Sequence, residues 1–133
     1  MDGIKLAINL LSADTGVTAL VASRIYGGAL PEHYDPTFNP AIVLHIRGGH
    51  THPEMPIRTV SVGVTVWAGI NEFVQAHAVY EAIFNALHGV CNKNFGADGH
   101  VISCLEQTPG QDIPDPEAGW VTVVAFYEMT IRQ

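Results

Sequence analysis

His50 and His52 form a His-x-His pair, with His45 shortly before it and Glu54 two residues after it. On an extended strand, residues spaced by two point to the same side, so the two imidazoles can share one metal ion. With the carboxylate they make a donor set for zinc, iron or manganese. The plainer alternative is a loop that holds histidines, since the chain has 7 of them and a close pair needs no selection. Asp112, Asp115 and Glu117 form an acidic cluster punctuated by Pro114 and Pro116. Such carboxylates suit a hard cation, but the spacing of a calcium loop is absent and the prolines favour an extended, solvated segment. No Ser or Cys sits in a strand-turn-helix elbow, and Gly27-Gly28 and Gly48-Gly49 lack the lysine and the following helix of a phosphate loop. His77 falls on the apolar stripe of a long helix and reads as a core or interface residue. Neither catalytic residues nor a cofactor are expected, and the metal site stays the alternative.

Composition narrows the classes. The 133 residues suit a single domain over residues 1–133, and 47% apolar residues are enough for a core. Charged residues make up only 14%, below the roughly 25% of an average globular chain, so part of the surface is expected to be covered by partners. The 13 acidic against 6 basic residues give a net charge of -7, and the basic ones are scattered singly. A nucleic-acid grip needs clustered Lys and Arg and is not expected. Cys91 and Cys104 are too far apart for a short metal or redox pair, and read as reduced thiols, with Cys104 a small core residue. No charged-then-apolar leader and no apolar run of membrane-spanning length is seen, so a soluble, unexported protein is expected.

The elements that must position these residues follow from periodicity. Residues 2 to 12 put Ile4, Ala7, Ile8 and Leu11 on one helical face with Asp2 as N-cap. Asp14 caps a second short helix carrying Val17, Leu20 and Val21, which ends before Arg24. A Gly- and Pro-rich stretch to Pro40 leaves only a short strand around Ile25 and Tyr26. Ala41 to Arg47 is a buried strand, Gly48 to Pro56 a loop, and residues 58 to 67 an alternating strand with Val60, Val62, Val64 and Val66 on one face. Asn71 is placed to cap the strongest helix, with a stripe of Phe73, Val74, His77, Tyr80, Phe84 and Leu87. After a connection from His88 to Gly99 come a strand at Val101 to Leu105, a proline-rich loop, and a closing strand at Trp120 to Ile131. The expected architecture is an α+β two-layer sandwich, with a mainly antiparallel sheet of about four strands and helices packed on one face.

The layout resembles the phage tail terminator or tail-completion family, the tail-to-head joining proteins. The resemblance rests on Leu10-Leu11, Asp14, Val17 and the run Leu20 to Tyr26, on Pro40 to Leu44, and on Val60 to Ala68. It continues through Ala78, Ile83 and Ala86-Leu87 to Thr108 and Gly119 to Tyr127. It implies a virion structural protein of the tail or neck, made in the host cytoplasm and lacking catalytic residues. It further implies a homo-hexameric ring that caps the tail tube, stops its polymerisation and meets a head-connector or head-closure protein. Membership of another neck subunit, such as the head-closure protein itself, is the nearby alternative. A net negative ring suits a lumen through which DNA passes without specific binding. The loop carrying Glu32 and Asp35, or the loop carrying Asp112, Asp115 and Glu117, is expected to face that channel or a neighbouring ring. The histidine-rich segment Gly48 to Pro56 lies outside the resemblance.

Overall fold

The computed structural model describes residues 2–132. In chain order the elements are α1 (Gly3–Ser12), α2 (Thr15–Val21), β1 (Ile25–Gly27), β2 (Ala41–Thr51), β3 (Ile57–Gly69), α3 (Phe73–Leu87), β4 (Val90–Asn94), a 3-10 turn (Gly96–Asp98), β5 (His100–Asp115) and β6 (Trp120–Arg132). The strands form one six-stranded sheet in the order β1-β2-β3-β6-β5-β4. All neighbours run antiparallel except β1 and β2. The fold is α+β with the helices on one sheet face, as the sequence predicts, but with six strands rather than four.

Three of the differences have backbone causes. Val90–Asn94 was expected to be connection because it is polar and glycine-flanked. It pairs as the edge strand β4 with residues 100–104 of β5, and an edge strand needs no apolar alternation. The expected loop around Pro109 and Pro114 is instead the far half of β5, with irregular register between Glu106 and Gln111. Beyond Cys104 the outer edge of β5 has no strand partner among the described residues, so the missing proline N–H groups cost no ladder bond. Likewise β2 runs past Arg47 to Thr51, through a bulge between Ile46 and Gly49.

The helix caps and faces divide in the same way. Asp2 accepts from the Ile4 amide at 2.9 Å, and Asp14 from the Val17 amide at 3.1 Å, so both predicted caps form. Asn71 does not cap α3; Glu72 holds that position without a side-chain bond. On α1 the buried residues are Gly3, Leu6, Ala7, Leu10 and Leu11, while Ile4 and Ile8 are only half-buried. On α3 the core face is Ala76, Val79, Ile83, Ala86 and Leu87. The predicted aromatic stripe is its shoulder, with Val74 87% exposed. Ile83 and Leu87 fill the space between α3 and the sheet, with Ala76 and Ala86 on the same face, and the rings of Tyr80 and Phe84 lie to the flank. Against these helices β3 presents Val60, Val62, Val64 and Val66, β2 Ile42 and Leu44, and β6 Val121, Val123, Ala125, Tyr127, Met129 and Ile131, all buried. No single helix among the described residues is long and apolar enough to cross a membrane.

Candidate functional site

The sheet sorts the sequence's candidate residues to its two ends. Ile57 of β3 lies opposite Arg132, and Gly69 lies opposite Trp120. The β2–β3 turn and the β5–β6 turn therefore sit at opposite ends of paired strands, roughly 40 Å apart at the usual strand rise.

At one end is the β5–β6 hairpin. Asp112 and Asp115 lie on β5 itself and only Glu117 lies in the turn, which corrects the expected loop. The register pairs Asp112 with Val123, on the helix-covered face, and Asp115 with Trp120, on the opposite face. Three residues apart on a strand, the two carboxylates diverge and do not converge on one cation. Asp112 instead meets His77 of α3 at 2.9 Å, and both side chains are half-exposed. Asp115 accepts from the Ala118 amide at 3.2 Å, which closes the turn, and Gly119 completes it at φ +78. The 28–40 segment comes to the same end. Its Asp35 accepts from the Thr37 amide at 2.9 Å and from the Thr37 hydroxyl. These bonds, helped by the Trp120 side chain, hold the Asp35 carboxyl below its ordinary value. Glu32 is exposed beside His33. The two acidic segments, far apart in sequence, are thus neighbours in space.

Beside them Phe38, 84% exposed, and Val74 border an open notch of about 510 Å³ whose lining includes Thr37 and Glu72. The sequence gives no sign of this apolar pair, because an exposed Phe and an exposed Val look like core residues until the chain is folded.

At the opposite end is the histidine segment. His50 lies on β2 across from Thr59, and His52 in the turn accepts from the Glu54 amide at 3.2 Å. His45 lies before the bulge, with its ring over Gly63 and edge-on to Phe126 at 6.0 Å. Among the described residues no three His, Cys, Asp or Glu side chains are grouped to hold a metal. What the segment builds is a projecting arm, with every residue from Ile46 to Pro56 exposed. The bulge requires glycine at position 49, where φ is +151 and a Cβ would fall on the Thr59 carbonyl oxygen.

The sheet face without helices carries a row of half-buried aromatics. Trp67 and Trp120 pack edge to face at 5.7 Å, and the Arg47 guanidinium lies 3.8 Å over the Phe126 ring. On the covered face a polar node ties β5 to α3. Tyr80 donates to Glu106 at 2.6 Å, the buried Tyr127 donates to the same oxygen at 3.2 Å, and the Gly110 amide donates to Tyr80 at 3.0 Å. Burial, then the nearby Glu106 charge, pushes the Tyr127 hydroxyl far above its ordinary pKa. This node pins the irregular stretch of β5, and it was invisible in the sequence because its bonds join residues 21 to 30 apart.

The model of one protein family, described as tail completion protein gp17, matches residues 8–132. Among solved structures, a chain in the virion of a native gene transfer agent particle superposes with a TM-score of 0.72. It is 15% identical, over 96% of this chain and 92% of that one, which is a likeness of fold. No curated protein matches by sequence.

Proposed function

Since this chain belongs to the tail completion protein gp17 family, we propose that it is a structural part of a phage tail, without enzymatic activity. In this reading the whole chain works as one domain, six copies form a ring on the head-proximal end of the tail tube, and the ring stops tube growth. Its other face meets the head connector or head-closure protein, in the neck of the virion. The observation that carries the reading is the family match over residues 8–132, nearly the full chain.

The geometry supports it in two ways. The molecule has two unlike projecting ends, as a protomer needs if it contacts neighbours head to tail around a ring. Glu32, Asp35, Asp112, Asp115 and Glu117 collect at one of those ends, where they suit a channel wall or an adjoining ring. Carboxylates there repel the phosphates of passing DNA instead of holding them.

The test is tube assembly in vitro. Purified tail-tube protein from the same phage is polymerised with and without this protein, and tube lengths and ends are viewed by negative-stain electron microscopy. Shortened tubes with extra density at one end are expected. Unchanged lengths with bare ends would refute the terminator role, and binding to the portal complex in their place would mark a head-closure subunit.

A further inference from the structure

The arm and the notch match each other in shape and in charge. From His45 onward the outer edge of β2 has no strand partner among the described residues, because β1 covers only Ile42 to Leu44. Across the two strands of the arm runs a groove of about 320 Å³ lined by Ile46, Gly48, Gly49, His50, Arg58 and Val60, among others. Two successive glycines leave its wall without side chains, so an aromatic ring can reach the backbone. At the far end of the molecule Phe38 stands out as a knob, with Val74 beside it. An exposed apolar pair and an exposed apolar-walled groove on one chain are each costly in water and jointly relieved by contact. The charges are opposite in sign. Arg58 and His50 edge the groove, while Glu72 lines the notch and Asp35 stands next to it through its bonds to Thr37. Glu54 in the arm turn is the one opposing carboxylate there.

We propose that these surfaces dock on each other between copies: Phe38 of one protomer enters the groove along the β2–β3 arm of the next, and Met55 of that arm lies on Val74. The occupant is a second copy of this chain. Knob and groove lie at opposite ends, so copies can join head to tail and close a ring when the rotation allows; an antiparallel two-fold pair would stop at a dimer, which the solution mass distinguishes. The proposal rests on the ring reading above, names the surfaces that make the ring, and gives the histidine-rich segment a role as an assembly arm. Asp115 at the end of β5 and Glu117 in the turn, beyond the notch, remain available to the channel.

The test is cross-linking in trans, with Cys91→Ser as the background because Cys91 is exposed. One chain carries Asn39→Cys beside the knob and the other carries Thr51→Cys on the arm. A control chain carries Ala19→Cys on α2. Under mild oxidation the 39–51 dimer is expected to exceed the 39–19 dimer by about tenfold or more, the ratio that one modest apolar contact sets. Adding Phe38→Asp to the Asn39→Cys chain should return the yield to the control level. Equal yields from the two pairs overturn the proposal. A ring seen by light scattering without 39–51 cross-linking leaves the ring reading standing and removes this contact. Cross-linking with tubes that grow uncapped keeps the contact and removes the terminator role.

Discussion

Alkaline pH should destabilise this protein through one side chain above others. Cys104 sits on β5 with no solvent exposure, facing Met129 across the ladder. Burial raises its thiol from 9.0 to about 12. In the unfolded chain the thiol ionises first, so between these values unfolding releases a proton and stability falls as pH rises; below pH 9 the contribution is complete. Each unit of separation is worth about 1.4 kcal/mol, so at pH 11 the loss from Cys104 is about 3 kcal/mol. Tyr127, raised by burial and by Glu106, adds roughly 1.5 kcal/mol at that pH in the same direction. The assay is urea unfolding at pH 8 and pH 11 for the native chain and for Cys104→Ala. The variant starts lower by about 1 kcal/mol, for the small cavity, and its pH-dependent loss should be smaller than the native one by about 3 kcal/mol. A thiol reagent at pH 8 should label Cys91 quickly and Cys104 only in denaturant, since one is exposed and the other buried. Equal pH-dependent losses in the two proteins, or native-state labelling of both thiols at one rate, would refute the reasoning.

Two further changes separate the arm from the core. Gly49→Ala sets a Cβ against the Thr59 backbone, and backbone cannot swing aside as a side chain can, so the arm should lose its pairing. Hydrogen exchange should then speed up at His50 to Thr59 while Val121 to Ile131 of β6 stays protected; an arm as slow to exchange as before would count against the bulge. Asp14→Ala removes the bond to the Val17 amide that starts α2, and should lower the unfolding free energy in urea by about 1 kcal/mol. A change below a few tenths would mean that packing of Val17 and Val21 alone starts the helix.

The parts legible in the sequence are those set by local chemistry. Asp2 and Asp14 cap their helices because a short carboxylate at that point meets free amides whatever the rest of the chain does. Val60 to Val66 make a strand with one buried face because alternation by two admits one orientation on a sheet. The resemblance over Leu10 to Tyr127 likewise reached the right family, since it drew on the order of such elements. Where a residue's fate depended on a distant partner, the sequence was silent or misleading. Phe73 and Val74 have the hydropathy of a core stripe, yet the face of α3 that lies on the sheet is the one carrying Ala76, Val79, Ile83, Ala86 and Leu87. β4 exists because β5 offers it an edge, and β5 extends through Pro109 and Pro114 because its outer side there faces no strand. The histidines that suggested a metal site are spread along an arm by a bulge, and the acidic residues that suggested a cation loop fall on opposite faces of a strand. Sequence alone determined the starts of α1 and α2, the central strand and the family, because each is written in neighbours along the chain. The sheet order, the node at Glu106 and the knob and groove at the two ends were decided only by tertiary structure, because each is a contact between residues that meet only after the chain has closed on itself.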